Sequence, residues 1–392
     1  MSKPNVAIVL GGGITGLGLI RNLSANGVDV YCVVDRKSAA SYSKLCKKIY
    51  NIASCQSNNR VLESFLNGVN LECNKAVIIP STDLFSIGLS EIKGNLNSMY
   101  LPIVADKQVI KKLAIKSNFY ASLSSYDLPY PVTYHPMTKS EAAGISDRVN
   151  YPVFLKPSET AFFQQAFNLK GFVANSKQEL VYYYSLASNL NLDVVVQEII
   201  PGPENSMYSL AGFFDRDYTP KALFACRRLR GWPPHFGVSS SIESVRVEDL
   251  SSVKDKLLSY LGDIGYYGIM EAEFKFDARD GLYKLIEINA RSWWQNTLPT
   301  ACGLNIVYSA FLDAIGIKSN YCEKYKTGVN WVNFELDLAS LRESHGSILE
   351  WVRCLRRAEA WAYFSPFDVS LWIKRNRDIV TSRLKNIHTY QN

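Results

Sequence analysis

Residues 271–296 read EAEFKFDARDGLYKLIEINARSWWQN and contain two segments of alternating apolar and polar residues, joined by the turn DARDG. Alternation of this kind is typical of strands, because successive side chains point to opposite faces. We therefore expect EAEFKF and YKLIEIN to form adjacent antiparallel strands, with Glu287 and Asn289 on one face and Glu273 able to meet them. The apolar neighbours Phe274 and Ile288 indicate that this hairpin packs on a hydrophobic core.

Glu273, Glu287 and Asn289 are the predicted metal ligands. Clustered carboxylate and amide oxygens, without thiolate or imidazole, suit Mg²⁺, with Mn²⁺ as the alternative, and Mg²⁺ binds readily beside substrate phosphates. Arg291 follows them, and its guanidinium is expected to neutralise a phosphoryl group during transfer. The alternative is that the two glutamates face solvent and pair with lysines on the same strands. The apolar flanks argue against that alternative, because two inward-facing carboxylates need a cation to offset their repulsion.

Length and composition describe an ordinary globular protein. The 392 residues are 47% hydrophobic and 20% charged, which excludes a disordered chain and suggests two or three domains. The net charge is +7, and an excess of five basic residues falls within residues 351–392, leaving an excess of two in the first 350 residues. A nucleic-acid-binding protein usually carries a larger basic surface, so we expect no nucleic-acid partner.

Neither the cysteines nor the N-terminus indicates export. The eight cysteines include no C-x-x-C pair, and reduced thiols are the simplest interpretation. The apolar stretch VAIVL is too short for a signal peptide, and no apolar run approaches the roughly 18 residues that span a bilayer. The sequence therefore predicts a cytoplasmic protein without a transmembrane segment.

Residues 6–35 contain an apolar strand, the turn GGGITGLG, a helix that ends at Gly27, and a second strand, VDVYCVVD. With the later strand AVIIP, this order predicts a doubly wound, Rossmann-like domain with a parallel sheet. A small substrate is expected at the carboxyl ends of these strands, where the candidate binding residues are Gly12, Gly13, Thr15, Asp35, Ser81 and Asp83.

The glycine turn has three interpretations. Gly11-x-Gly13-x-x-Gly16, with Asp35 ending the next strand, matches the dinucleotide fingerprint. The same turn also binds other anions at a helix N-terminus, or serves only to pack the helix on the strand. The motif alone does not distinguish a nicotinamide dinucleotide, another anionic ligand and a purely structural turn.

An ordered set of motifs over about residues 5–330 resembles the ATP-grasp superfamily, and more closely its carboxylate-amine ligase branch. Within that branch, the motifs are similar to those of D-aspartate-ligase-like and carbamoyl-phosphate-synthase-like proteins. After the glycine-turn domain come Asp106-Lys107 opening a helix, then LPYPVT, YPVFLKPS with Lys156, VVVQEIIPG, RRLRGWPPHFG, EAEF and EINAR. The resemblance implies α/β and α+β architecture. It places a pre-ATP-grasp domain at 1–105 and an ATP-grasp domain at 106–330, with a lid subdomain at about 120–200 and a C-terminal subdomain at about 201–330. A helical, basic extension follows at 331–392.

The resemblance also implies residue roles. Lys107 and Lys156 would bind ATP phosphates, Glu198 and Ile200 of the hinge would hold adenine, and Glu204 would hold ribose. Glu273, Glu287 and Asn289 would bind Mg²⁺. The chain departs from the wider superfamily in one place: KPSETAFFQQAFNLKGF has no glycine before Gly171, so the residues that cover the terminal phosphates are not fixed by the motif.

Arg228 and Arg230 in RRLRGWPPHFG lie two residues apart, and an extended strand would present both on one face. A guanidinium group can bind two oxygens of a carboxylate or a phosphate at once, which suits an acyl phosphate. The predicted catalytic residues are therefore Arg228, Arg230 and Arg291. The alternative for the first two is a basic strand at the surface.

The resulting hypothesis is an ATP- and Mg²⁺-dependent ligase that joins a small carboxylate to an amine, amino acids or similar compounds, through an acyl phosphate. The alternatives are an NAD-dependent oxidoreductase that uses the glycine turn and a noncatalytic ATP-binding protein. The sequence does not predict an oligomeric state. Leu371, Trp372, Ile379, Val380 and Leu384 fall near one face of a basic helix, which would dock on the protein's own core or contact an anionic membrane or polyanionic glycan.

Overall fold

The structure is a computed structural model that describes residues 3–234, 237–318, 320–344 and 346–377, with only the backbone at 160 and 161. Ile379, Val380 and Leu384 of the predicted C-terminal helix face lie outside the described residues. Within the described residues, no helix is both long enough and apolar enough to cross a lipid bilayer.

The N-terminal sheet is parallel, and α-helices follow its first, third and fourth strands. Its strands are β1 (Val6–Leu10), β2 (Val30–Val34), β3 (Lys48–Asn51), β4 (Ala76–Pro80) and β5 (Tyr100–Pro102), and its helices are α1 (Ile14–Ser24), α2 (Asn59–Gly68) and α3 (Asp83–Ile92). The strand order β3-β2-β1-β4-β5 is that of a doubly wound sheet. All residues of β1 and β4 are buried, as expected for strands covered on both faces. The predicted Rossmann-like architecture is confirmed.

Two short helices lead into a second, antiparallel sheet with its own hydrophobic core. The helices are α4 (Lys107–Ala114) and α5 (Lys116–Leu123), and the sheet contains β6 (Thr133–Tyr134), β7 (Val153–Pro157), β8 (Phe172–Ala174) and β9 (Val194–Glu198) in the order β6-β9-β7-β8. Its accompanying helices are α6 (Lys139–Ser146), α7 (Thr160–Phe167) and α8 (Lys177–Asn189). Leu155, Phe163 and Val196 lie in this core, which is separate from the cores of the other two sheets. The second sheet occupies the region predicted as the lid.

The third sheet has seven strands and carries the hairpin predicted from residues 271–296. Its strands are β10 (Met207–Phe214), β11 (Pro220–Trp232), β12 (Val238–Val245), β13 (Gly268–Asp277), β14 (Leu282–Asn289), β15 (Asn330–Val332) and β16 (Ala358–Trp361), in the order β14-β13-β10-β11-β12-β15-β16. The helices that accompany it include α9 (Ser251–Asp263), α10 (Thr297–Ala301), α11 (Ile306–Ala314), α12 (Phe334–Ser344) and α13 (Ile348–Arg356). Strands β13 and β14 are antiparallel and pair Glu273 with Glu287 and Glu271 with Asn289, which confirms the predicted hairpin.

The C-terminal region differs from the predicted helical extension, because β15 and β16 extend the third sheet. A buried carboxylate also fastens α12 to that sheet. Asp337 is completely buried and accepts bonds from Arg230 Nε (2.9 Å) and Nη2 (2.7 Å), Ser240 Oγ (2.9 Å) and Trp351 Nε1 (2.9 Å). Residues 331–361 are therefore part of the same folded body as the strands before them.

Asp337→Ala should lower the free energy of unfolding by about 3 kcal/mol, because it leaves the Arg230 guanidinium without its buried counter-charge. Denaturant unfolding measures this change. The matched control is Glu343→Ala, which removes a carboxylate of the same helix that accepts a bond from the half-buried Trp232 indole (3.0 Å). This substitution should change stability by less than about 0.5 kcal/mol. Equal effects of the two substitutions would show that Asp337 does not fasten α12 to the sheet.

Candidate active site

The three predicted metal ligands lie together at the end of the β13–β14 hairpin. The side chains of Glu273 and Glu287 are 22% and 26% exposed, so both are largely removed from water. Asn289 Nδ2 donates to Glu273 Oε1 (3.2 Å) and to Glu271 Oε2 (3.1 Å). The strand register thus produces the oxygen cluster that the alternating sequence predicts.

Two lysines from different elements converge on Glu287. Lys116 Nζ, at the start of α5, lies 2.9 Å from Glu287 Oε2, and Lys156 Nζ, on β7, lies 3.8 Å from the same atom. Their side chains are only 10% and 12% exposed. Burial acts to raise the pKa of Glu287, but the two ammonium groups override it and hold that pKa well below its usual value. Burial lowers the pKa of Lys156.

The structure places Lys107 outside this cluster. Its ammonium group lies 3.1 Å from Glu91 Oε1 of α3, and its side chain is 52% exposed. Lys116, nine residues later, is the lysine of this region that pairs with Glu287. The backbone explains the difference, because Ile115 is extended and separates α4 from α5, while the Lys116 amide donates to the Ser158 carbonyl (3.1 Å) just after β7. The stretch DKQVIKKLAIKS has four lysines and no sequence signal that marks this break.

Arg228 lies beside the carboxylates and Arg230 does not. Arg228 donates through Nη1 to Glu204 Oε2 (3.1 Å) and through Nε to Ser239 Oγ (2.8 Å), and its Nη2 lies 4.0 Å from Glu273 Oε2. Arg230 is held by the buried Asp337, as described above. The pairing of β11 with β12 shifts register between the two arginines, so spacing by two residues does not give them a common environment.

Arg291 joins the predicted metal ligands to the N-terminal domain. Its Nε donates to Asp83 Oδ1 (2.8 Å) and its Nη2 to Asp83 Oδ2 (3.2 Å), at the first residue of α3. The same Nη2 donates to Asn289 Oδ1 (3.0 Å). The structure therefore brings a predicted catalytic residue, a predicted substrate residue and a predicted metal ligand into one hydrogen-bonded chain.

The glycine turn is tightly packed by serines. Gly11 has φ +97°, and a Cβ there would lie 2.3 Å from Ser81 Oγ, while a Cβ on Gly12 would lie 2.1 Å from Ser38 Oγ. Ser81 Oγ donates to the Leu10 carbonyl (2.7 Å). Close packing thus accounts for these two glycines without a dinucleotide, which favours the structural interpretation of that part of the motif.

The other predicted substrate residues have different surroundings. Gly13 is exposed, and no atom lies within 4 Å of the position that its Cβ would take. Thr15 is 4% exposed, and its carbonyl accepts a bond from Asn296 Nδ2 (3.0 Å), in the loop that follows EINAR. Asp35 is half-buried just after β2. Gly13 is therefore the member of this turn that a ligand can approach without displacing packed side chains.

The predicted hinge residues follow β9. Ile200 is 3% exposed. The carboxylate of Glu198 accepts bonds from the Val132 amide (2.9 Å) and from Arg279 Nη2 (2.8 Å), so it is already engaged by the protein. The adenine role of this carboxylate stays a prediction, as does the ribose role of Glu204, which pairs with Arg228.

Two charged residues near the cluster were missed from the sequence. Glu271 is 6% exposed, and burial together with the charge of Glu273 raises its pKa to about 8. Lys170 lies in the glycine-poor segment between α7 and β8; partial desolvation lowers its pKa, and the charges of Glu287 and Glu273 act in the opposite direction. The alternation of EAEF places Glu271 on the same strand face as Glu273, so the sequence pattern could have identified Glu271. Lys170 is distant in sequence, and only the fold brings it near the carboxylates.

The donor set fits a magnesium ion that is shared with phosphates. Among the described residues, no three His, Cys, Asp or Glu side chains form a metal-binding group by themselves. Glu273, Glu287 and the Asn289 amide would hold Mg²⁺ as two carboxylates and a carbonyl oxygen, with phosphate oxygens and water as the other ligands. Binding requires the carbonyl oxygen of Asn289 to turn from Arg291 towards the metal.

Comparisons with known proteins agree with this arrangement. No family model matches the chain. A D-aspartate ligase of Enterococcus faecium (strain Aus0004) is 26% identical over 241 residues, which cover 59% of this chain and 57% of the relative, less than two thirds of its length. Among solved structures, the biotin carboxylase domain of Hydrogenobacter thermophilus 2-oxoglutarate carboxylase, in complex with MgADP and bicarbonate, superimposes with a TM-score of 0.65 at 15% identity, covering 84% of this chain and 74% of that one.

Two further structures have the same architecture. N5-carboxyaminoimidazole synthetase from Staphylococcus aureus gives a TM-score of 0.64 at 12% identity and covers 84% of this chain and 82% of that one. An L-amino acid ligase from Bacillus licheniformis gives 0.61 at 11% identity and covers 84% and 79%. The chain has the ATP-grasp fold. The fold expected from the sequence is thus confirmed, and within it Lys116 and Lys156 both approach Glu287 of the β13–β14 hairpin.

Lys116→Ala should weaken binding of a fluorescent ATP analogue by roughly tenfold or more, because it removes a buried ammonium group from the proposed phosphate site. Fluorescence titration in the presence of Mg²⁺ measures the dissociation constant. Lys107→Ala is the matched control and should leave that constant within about twofold, since exposed ion pairs contribute little. The reverse ranking would restore Lys107 to the role predicted from the sequence.

Proposed function

We propose that this chain is an ATP- and Mg²⁺-dependent ligase that joins a carboxylate to an amine through an acyl phosphate and releases ADP and phosphate. The observation that carries the proposal is the convergence of Lys116 and Lys156 on Glu287, next to Glu273 and Asn289. Ammonium groups from two elements and a carboxylate pair from a third form a site with both signs of charge, as a magnesium-bound polyphosphate requires.

The lysines and carboxylates would exchange partners when nucleotide binds. In the structure, Glu287 neutralises the two lysines at 2.9 and 3.8 Å. Phosphate oxygens would take over the ammonium groups of Lys116 and Lys156, and the metal would take over the carboxylates. When bound, Mg²⁺ supplies charge neutralisation for the phosphoryl group that is transferred. Adenine would lie against the hinge near Glu198 and Ile200, and ribose near Glu204.

Arg228 and Arg291 would orient the carboxylate and the acyl phosphate formed from it. Both guanidinium groups already lie against the oxygen cluster, at 4.0 Å from Glu273 Oε2 and 3.0 Å from Asn289 Oδ1 respectively. Arg228 also lines a small cavity together with Ser209, Glu271 and Gln295, among others. Positioning and electrostatics would therefore supply the rate, with no covalent nucleophile, and the lid would exclude water from the acyl phosphate. Arg230 has no proposed contact with substrate, because Asp337 holds it.

The small substrate would bind where the N-terminal domain meets the hairpin. Asp83 lies there through its pair with Arg291, Gly13 is accessible, and Gly12, Thr15, Asp35 and Ser81 form the surrounding turns. The names of the D-aspartate ligase and the L-amino acid ligase support amino acids or similar compounds as the acid and the amine. A cytoplasmic location and the absence of a nucleic-acid partner stay predictions.

The nicotinamide alternative has less support than the ligase. The serine packing gives Gly11 and Gly12 a structural explanation. An oxidoreductase function would leave the two lysines and the carboxylates of the hairpin without a role. The noncatalytic alternative requires ATP binding without turnover. A screen of amino acids and small carboxylates for ADP and phosphate release separates it from the ligase.

Glu287→Gln should reduce phosphate release that depends on both acid and amine by about a hundredfold or more, because it removes a charged metal ligand and the counter-charge of two buried lysines. A coupled phosphate assay on substrates from the screen measures this rate. Glu91→Gln, which alters the half-buried partner of Lys107, is the matched control and should keep near-normal turnover. Unchanged amine-dependent release by Glu287→Gln would contradict the proposed site.

A further inference from the structure

Residues 364–377 expose an unusual share of apolar side chains. Of the 18 large hydrophobic side chains exposed within the described residues, five fall in this segment: Phe364 (41%), Phe367 (87%), Val369 (40%), Trp372 (46%) and Ile373 (55%). None of the 18 lies in residues 3–131. Scattered exposed apolar residues are normal, whereas a cluster in one short segment marks an interaction surface. We call these five side chains the C-terminal apolar face.

Residues 369–377 are helical, and the helix is docked on the protein by its opposite side. Leu371 is completely buried. Arg375 is paired with the carboxylate of Glu335, with Nη2 donating to Oε2 (2.9 Å), and its guanidinium lies 3.5 Å from the centroid of the Tyr363 ring. Leu371 and Trp372, predicted to share a helical face, therefore point to different environments. One face of the helix therefore packs on the protein, and the opposite face points to solvent.

The apolar face is continuous along the helix and into the preceding segment. Val369, Trp372 and Ile373 are spaced by three and four residues, so they form one stripe. Phe364 packs against Trp372 with ring centroids 6.4 Å apart. Two aromatic rings and two aliphatic side chains thus lie next to one another at the surface.

The charges around this face are positive. Lys374 and Arg377 are exposed on the same helix. The one acidic residue of the segment, Asp368, is 2% exposed and turned inward, where it accepts bonds from Ser43 Oγ (2.5 Å) and the Lys44 amide (3.3 Å). Within residues 364–377, the surface therefore presents apolar side chains and cations, and the carboxylate of this segment is turned inward.

We propose that the C-terminal apolar face docks on the surface of an anionic lipid bilayer. Aromatic and aliphatic side chains flanked by lysine and arginine on one face of a docked helix match the interfacial region of a membrane, where rings enter the headgroup layer and cations meet lipid phosphates. A soluble polyanion would use the cations and leave the apolar side chains in water. The residues of this face are different from those of the proposed ligase site, so the membrane proposal can be tested independently of the ligase activity.

Flotation of the full-length protein with vesicles tests the proposal. Binding is expected to vesicles that contain about 30% phosphatidylglycerol and to be at least about tenfold weaker with phosphatidylcholine alone. The double substitution Trp372→Ala and Ile373→Ala should lower the partition coefficient for anionic vesicles by about tenfold or more. Leu190→Ala, which removes an apolar side chain of matched exposure (53%) from the end of α8, should leave it unchanged.

Circular dichroism verifies that the double variant is folded, and a Lys374→Glu variant tests the charge contribution without changing the apolar face. Three results would overturn the proposal: no binding to anionic vesicles, equal binding by the double variant, or binding of polyphosphate or heparin in place of vesicles. A dimer that the double substitution converts to monomer, with no vesicle binding, would assign the face to a second copy of the chain instead.

Discussion

The proposed active site depends on a carboxylate held between two buried ammonium groups. Glu287 lies on β14, Lys116 at the start of α5 and Lys156 on β7, so their contact fixes the hairpin, the entry helices and the lid sheet relative to one another. Three charges removed from water in this way are costly unless they are paired. The two lysines pair with the carboxylate in the structure, and in the proposed function phosphate and metal would replace these partners.

The N-terminal domain is coupled to this cluster by specific polar contacts. Asp83 holds Arg291, and Asn296 reaches across to the carbonyl of Thr15 (3.0 Å) and to Ser292 Oγ (2.8 Å). At the other side, Arg21 donates to the carbonyls of Trp361 (3.1 Å) and Tyr363 (2.6 Å) near the end of the chain. The glycine turn is thus a support for the loop after EINAR, and Gly13 alone of its first three glycines has open space above it.

The sequence predicted those features of the fold and the candidate site that follow from the local spacing of apolar residues. Fully apolar strands such as β1 and the alternating EAEF and EIN segments identified the parallel sheet, the hairpin and its oxygen cluster, because burial imposes those patterns on neighbouring residues. It did not distinguish Lys116 from Lys107, since the break at Ile115 has no breaker residue. It also placed Arg230 in the site, because its partner Asp337 is more than a hundred residues away. Strands β15 and β16, of three and four residues, are too short to show a period.

The central claim is that this site phosphorylates a carboxylate before an amine attacks it. The most direct measurement uses an acid substrate from the screen, labelled with oxygen-18 in its carboxylate, and mass spectrometry of the phosphate released during amide formation. The account predicts that one oxygen-18 atom is transferred to each phosphate, because an acyl phosphate carries a carboxylate oxygen away when the amine displaces phosphate. Amide formation with unlabelled phosphate would contradict it.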